Sequence, residues 1–113
     1  MTSDCLFCKI VAGEIPATLV AETADTVAFR DINPQAPTHL LLIPRAHHAD
    51  VAAMAQTDPG LAGRLLADAA AVAQQEGVPQ FRLVFNTGAE VGQSVFHVHG
   101  HVLGGRQFSW PPG

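Results

Sequence analysis

The sequence has few basic residues and no long apolar segment. Only six of its 113 residues are Lys or Arg, and the net charge at pH 7 is −4. These basic residues are spread singly along the chain, which argues against binding to a long nucleic acid. No apolar run approaches the roughly 18 residues of a transmembrane helix, and the first residues lack the pattern of a signal peptide. We therefore expect a cytoplasmic protein with neither a nucleic-acid polymer nor a membrane as a partner.

Cysteine is also scarce, since Cys5 and Cys8 are the only two, and they form a C-x-x-C pair. In a reducing compartment this spacing is typical of half a metal site or of a redox pair, rather than of a structural disulfide. A thioredoxin-like redox pair follows a strand, whereas no strand is predicted before Cys5. Two reduced thiols packed against the sheet are the simplest alternative to a metal site.

The length and the hydrophobic fraction of 48% indicate a single folded domain over residues 1–113. Apolar alternation and turn signals predict five strands, over residues 17–23, 26–32, 38–44, 80–86 and 94–104. Helical spacing predicts a short helix over 5–12, one or two helical turns over 49–56, and a long helix from Asp58 to about Glu76. The long helix carries one apolar face, formed by Leu61, Leu65, Leu66, Ala69 and Val72. This order of elements predicts an α+β domain with a five-stranded, mainly antiparallel sheet, whose central strand is the apolar segment 38–44.

The stretch HVHGHVL places His97, His99 and His101 on alternate positions. In an extended strand these three imidazoles share one face, while the residues between them point towards a core. Neighbouring imidazoles are then about 7 Å apart, a spacing that suits several contacts to one small group. Three interpretations are open: a solvated histidine-rich face, a catalytic metal site, and an anion site in which one histidine attacks phosphorus.

The surrounding residues favour the anion site. Between Val91 and Gly113 there is no Asp or Glu, so the carboxylates that usually support metal-bound histidines must come from elsewhere. Histidine can act as a nucleophile or as a proton donor near pH 7, depending on which ring nitrogen carries its proton. The segment Gly92–Ser94 adds a hydroxyl and backbone N–H groups that can line a phosphate.

Taken together, these segments resemble the histidine triad (HIT) family, in its nucleotide-binding HINT branch. The similar segments cover nearly the whole chain: CLFCKIVAGEIPA, FRDINPQAPTH, THLLLIPRAH, FRLVFNTG, GQSVFHVHGHVLGGRQ and WPPG. The resemblance implies an enzyme that cleaves purine nucleoside phosphoramidates and acyl-nucleotides to the nucleoside monophosphate, through a nucleotidyl-histidine intermediate. It also implies a homodimer whose protomers join their sheets, with each C-terminal tail reaching the partner's active site.

Carried over residue by residue, the resemblance makes His99 the nucleophile and His101 a donor to the phosphate, with His39 supporting them from a neighbouring strand. Ser94 is then close to the leaving group. The implied nucleotide-binding residues include a carboxylate for the ribose hydroxyls, an apolar purine slot and polar contacts: Asp31, Ile32, Phe7, Phe29, Leu41, Asn86, Gly92, Gln93, Ser94, His99, His101 and Trp110. Taken singly, Asp31 can equally be a turn residue, and each apolar residue can equally be plain core.

A structural zinc ion is predicted at Cys5, Cys8, His47 and His97, because a closed structural site takes four ligands in a tetrahedron. Some bacterial relatives resemble this chain in carrying the N-terminal C-x-x-C pair. His48 is an open alternative to His47. The ion is expected to tie the N-terminal helix to the catalytic strand, with no part in the chemistry.

Two positions depart from the family pattern. Gly100 replaces a bulky apolar residue, so we expect lost packing and a strand weakened by about 1 kcal/mol. Ser109 stands where some relatives carry another histidine. Two alternative functions are a nucleotide-binding module with little turnover and a metal-dependent hydrolase. The physiological substrate, the leaving group and the base preference stay open.

Overall fold

The computed structural model of the chain describes residues 4–113 and contains a five-stranded sheet with three helices. The strands are β1 (Leu19–Glu22), β2 (Thr26–Arg30), β3 (Thr38–Pro44), β4 (Phe81–Val84) and β5 (Gly100–Gly104). They are paired antiparallel in the order β1-β2-β3-β5-β4, so β3 is central, as predicted. The helices are α1 (Leu6–Val11), α2 (Val51–Thr57) and α3 (Pro59–Gln75). The α+β prediction is confirmed.

The long helix α3 begins where its capping residues predict. The Asp58 side chain accepts a hydrogen bond from the N–H of Leu61 at 3.0 Å, and a proline occupies the first helical position. The predicted buried face is wrong at Leu66, which is 54% exposed, because it lies about 100° around the helix from the buried Leu65. No helix in the described part of the chain is long and apolar enough to cross a membrane.

Both faces of the sheet are covered, which explains why β3 is apolar from Leu40 to Pro44. Leu40 and Leu42 belong to a core cluster on the side of α2 and α3, whereas Leu41 and Ile43 belong to a second cluster with Phe7 of α1. Successive residues of β3 therefore pack against different helices. On the α1 face, the helix and the sheet together form the walls of a cavity.

The strand predicted over 94–104 is wrong in its first half, because regular pairing starts only at Gly100. Residues 95–97 bend, and the N–H of Val98 donates to the carbonyl of His48 rather than to a neighbouring strand. The side chain of Gln93 also donates to the carbonyl of Ala49 in the same segment. The chain is thereby held against the loop that follows β3 before it joins the sheet.

Candidate active site and metal centre

The histidine triad is divided between two neighbouring sites. His101 is paired with Leu41 of β3, so its side chain lies on the α1 face, as the alternation predicts. The ring of His99 lies 5.1 Å from that of His101 and 5.0 Å from that of Phe7, measured between centroids. His97 is fully buried and turns towards the cysteines instead. Of the three alternating histidines, only His99 and His101 therefore lie side by side at one site.

A cavity of about 380 Å³ opens beside His99 and His101, which is large enough for a small-molecule ligand. Its lining brings together the predicted apolar slot and two polar residues: Phe7, Phe29, Ile32, Leu41, Asp31 and Ser94. The two phenylalanines and Leu41 are buried, whereas Ile32 is fully exposed. The cavity thus has a rigid apolar wall and an open mouth.

A backbone carbonyl fixes the tautomer of His99. Its Nδ1 lies 2.9 Å from the carbonyl oxygen of His97. Because a carbonyl can only accept a hydrogen bond, Nδ1 carries a proton, and in the neutral ring Nε2 keeps its lone pair. The ring is buried and packed edge-on against Phe7, which holds its orientation. His99 therefore has the bare nitrogen that a nucleophile needs.

A second chain of hydrogen bonds fixes His39 and His101 in complementary tautomers. The backbone N–H of Gln35 donates to Nδ1 of His39 at 3.0 Å, so Nε2 of His39 carries the proton. That N–H donates to Nδ1 of His101 at 2.9 Å, which leaves the proton of His101 on Nε2. Burial lowers the pKa of His101 to about 4, and His99 and His39 shift it in the same direction. At neutral pH, His101 is thus an uncharged ring with an Nε2–H donor.

Asp31 has both a turn role and a free oxygen. Its Oδ1 accepts the N–H of Asn33 at 2.8 Å, which closes a local turn. Its Oδ2 lies 3.4 Å from Nε2 of His39 and borders the cavity. Asp31 is therefore a turn residue, as one interpretation of the sequence held. Its second carboxylate oxygen still borders the cavity and can contact a ligand.

The loop before the triad is held by Gln93. Its Oε1 accepts the N–H of Gly88 at 2.8 Å, and its Nε2 donates to the carbonyls of Ala49 and Val95. The polar atoms of this buried side chain are all hydrogen-bonded within the protein. Gln93 therefore shapes the loop, and its side chain is not available to contact a phosphate. The next residue, Ser94, is exposed and borders the cavity.

The remaining predicted ligand-binding residues are Gly92, Asn86 and Trp110. Gly92 has a positive φ of 104°, and Asn86 lies beside it, 3.9 Å from where a Cβ would be. Trp110 is 80% exposed in the C-terminal tail and is not part of the cavity lining formed by the described residues. Eight of the predicted nucleotide-binding residues therefore line the cavity, whereas Asn86, Gly92, Gln93 and Trp110 do not.

Four predicted metal ligands converge beside this cavity. The Sγ atom of Cys5 lies 3.4 Å from Nδ1 of His97. The Sγ atom of Cys8 lies 3.4 Å from Nδ1 of His47 and 3.5 Å from Nδ1 of His97. The two Nδ1 atoms are 3.2 Å apart. A tetrahedron with Zn–S of about 2.3 Å and Zn–N of about 2.0–2.1 Å has edges of about 3.5 Å between S and N and about 3.3 Å between N and N. The residues therefore fit a zinc ion.

The surroundings of this cluster also suit a metal. Nε2 of His97 donates to the carbonyl of Pro44 at 2.8 Å, which leaves Nδ1 with a lone pair for coordination. The N–H of Cys8 donates to Sγ of Cys5 at 3.3 Å. His47 rather than His48 belongs to the cluster. His97 joins the two sites, because its ring lies in the cysteine cluster while its carbonyl orients His99.

A second group of possible ligands, Asp31, His39 and His101, lies at the cavity. It supplies the carboxylate that is missing from the local sequence. However, the two imidazole nitrogens are 2.9 Å apart, closer than the roughly 3.3 Å of a tetrahedral zinc site, and a proton already lies between them. The geometry favours a hydrogen-bond chain over a metal site.

Sequence reasoning missed the backbone groups that set the tautomers, namely the carbonyls of Pro44 and His97 and the N–H of Gln35. Every residue carries such groups, so no sequence signal could have singled them out.

Comparisons with known proteins show which family the chain resembles. A sequence profile of the HIT domain matches residues 12–108. Adenylylsulfatase HINT1 of Arabidopsis thaliana is 46% identical, over 98% of this chain and 78% of that protein. The 14 kDa zinc-binding protein of Zea mays is 47% identical, over 98% of this chain and 89% of that protein. The crystal structure of a HIT family hydrolase from Legionella pneumophila Philadelphia 1 superposes with a TM-score of 0.92 and 53% identity, covering 96% of this chain and 99% of that one.

Proposed function

The chain belongs to the HIT family, and from this premise we propose that it is a HINT-like hydrolase of purine nucleoside phosphoramidates and acyl-nucleotides. The observation that carries the proposal is the pairing of two complementary imidazoles at one cavity. His99 has a bare Nε2, and His101 has an Nε2–H donor. A nucleophile and a donor side by side are what displacement at phosphorus requires.

The reaction is proposed to proceed in two steps. In the first, Nε2 of His99 bonds to the α-phosphorus as the P–N bond breaks, while Nε2–H of His101 donates a hydrogen bond to a phosphate oxygen. The departing amine takes a proton that the exposed Ser94 hydroxyl relays from solvent. The imidazolium that forms on His99 is stabilised by the His97 carbonyl, which stays bonded to Nδ1–H. In the second step, water attacks the phosphorus and gives up a proton to solvent by way of the Ser94 hydroxyl, and His99 leaves with its Nε2 lone pair restored.

The nucleoside is proposed to occupy the rest of the cavity. Phe7, Phe29 and Leu41 offer a flat apolar wall for a purine, and Ile32 can cover the exposed side of the base. The free Oδ2 of Asp31 can accept hydrogen bonds from the ribose hydroxyls.

We expect the purified protein to release the amine from a fluorogenic adenosine phosphoramidate, and to act less well on the cytidine analogue, which fills the apolar slot poorly. Added Mg²⁺ or Mn²⁺ should leave kcat unchanged, since no step needs a catalytic metal. Continuous fluorescence measures both. Tight nucleotide binding without turnover would favour a binding module, and a rate that depends on added metal would favour a metal-dependent hydrolase.

A structural zinc ion is proposed at Cys5, Cys8, His47 and His97. The interatomic distances support it, and the zinc-binding name of the maize relative agrees with it. Bound zinc would neutralise the thiolates and hold α1 to the segment before β5. The chain's own part is to hold the four ligands in place and to keep Nδ1 of His97 unprotonated through Pro44.

A homodimer is proposed as the working form. Strand β4 lies at the edge of the sheet, where its outer backbone groups can pair with a second copy. The C-terminal tail packs on the Arg82 side chain of this strand. Phe108 stacks under Arg106 and Arg82, and Arg82 donates to the carbonyl of Ser109. This course leaves the exposed Trp110 available to a neighbouring protomer's cavity.

Sedimentation velocity at micromolar concentration should show a dimer, because pairing of the β4 edges would bury backbone groups and the apolar tail at once. A monomer at these concentrations would contradict the proposal.

A further inference from the structure

We propose that Phe85 is a positioning residue for His99 and His101, which it holds in place by packing its ring on Gly100 between them. The proposal rests on the function proposed above. It concerns Gly100, one of the two positions that depart from the family pattern, which the mechanism does not use.

Gly100 is distinguished by the side chains packed on it rather than by its backbone conformation. Its φ is not positive, in contrast to those of Gly88 and Gly92. A Cβ at this buried position would lie 2.9 Å from Cζ of Phe85 and 3.0 Å from Cδ1 of Leu83. Contacts this short force the neighbours to move. The expected loss of packing at Gly100 is therefore wrong, because the side chains of Leu83 in β4 and of Phe85 just after it fill the space.

The contact between Phe85 and Gly100 lies where the hydrogen-bonded pairing of β4 with β5 ends. The ladder between β4 and β5 ends at the pair Val84–His101, so Gly100 is paired only with Leu42 of β3. Glycine has more backbone freedom than any other residue, and a rotation at Gly100 would turn His99 relative to His101. The Phe85 ring takes the place of the missing strand on that side.

The same residue leads directly into the nucleotide site. Phe85 precedes Asn86, which lies beside Gly92 in the loop before the triad. Its ring packs with the cluster that contains Val98 and Leu42, so it is fixed from the core side. Phe85 thereby links the backbone between the two catalytic histidines to the loop that would surround the phosphate.

The test compares two identical truncations on one strand. Phe81 also packs against this cluster, but it is paired with Gly104 at the far end of β4. Both F85A and F81A should lower the melting temperature. Only F85A should lower kcat, by about 10- to 100-fold with little change in KM, since misplacement of reacting groups by about 1 Å has effects of this size. Equal losses of kcat in F85A and F81A would overturn the proposal.

A second substitution that restores the side-chain volume lost in F85A, placed at position 100, tests for rescue of activity. The double variant F85A/G100L conserves the buried volume, so its kcat should return to within about threefold of the wild type, as volume-conserving exchanges are well tolerated. This result is informative even if F85A alone folds poorly. A double variant that folds but is as slow as F85A would contradict the positioning role.

A readout without substrate separates this proposal from the proposed function. Long-range ¹H–¹⁵N spectra should show His99 as the Nδ1–H tautomer and His101 as the Nε2–H tautomer in the wild type and in F81A, but mixed tautomers in F85A. If these spectra are found while the wild type hydrolyses no phosphoramidate, the proposed function fails and the positioning role stands. Unchanged tautomers in F85A would overturn the positioning role alone.

Discussion

Replacing the nucleophile, His99→Ala, is expected to lower kcat for an adenosine phosphoramidate by about 10⁴- to 10⁶-fold, the scale of loss seen when a covalent nucleophile is removed. No neighbouring imidazole can take its place. His97 is fully buried with its ring in the cysteine cluster, and Nε2 of His101 carries a proton. Nucleotide binding should weaken much less, because the apolar slot is unchanged. Steady-state kinetics and equilibrium binding measure the two effects separately.

The matched control is His48→Ala, a histidine whose ring belongs to neither cluster. It should retain wild-type kcat. Mass spectrometry of the wild-type reaction, quenched in alkaline denaturant because a P–N bond is labile in acid, should locate the nucleotidyl group on His99. An adduct on His97 or His101, or substantial turnover by His99→Ala, would disprove the assignment.

Removing the thiolates is expected to abolish zinc binding and to lower stability. Protein purified without chelator should contain about one zinc per chain, whereas Cys8→Ser should contain less than a tenth, because a structural site needs all four ligands. A metal that binds only the folded chain stabilises it by about 2.7 kcal/mol when its free concentration is 100 times Kd. Thermal unfolding with and without chelator should show this difference for the wild type and none for Cys8→Ser.

Two histidine variants sharpen this prediction. His47→Ala should lose the metal, whereas His48→Ala should keep it, because only the His47 ring lies within ligand distance of Cys8 and His97. Elemental analysis decides between them. Wild-type protein with less than a tenth of an equivalent of zinc, or a zinc-loaded His47→Ala, would contradict the proposed ligand set.

Local patterns predicted the elements whose own residues carry a capping or hydrophobic signal. The Asp58–Pro59 pair places the start of α3, and the apolar run 38–44 matches β3 residue for residue. The prediction of a strand over 94–104 was wrong in its first half, because Val98 and the preceding Gln93 hydrogen-bond to the loop after β3. Those partners lie more than 40 residues away in the chain, so the alternating pattern could not show that they would compete with the sheet.

By itself, the sequence determined that this is an α+β chain with alternating histidines, a C-x-x-C pair and the motifs of a nucleotide-binding family, because periodicity and spacing are properties of neighbouring residues. The tertiary structure alone decided that the triad divides between two sites, that His47 rather than His48 lies with the cysteines, and that Phe85 fills the space at Gly100. It also decided which nitrogen of each imidazole carries a proton. These outcomes depend on contacts such as that between Cys5 and His97, 92 residues apart, and on backbone carbonyls that every residue shares.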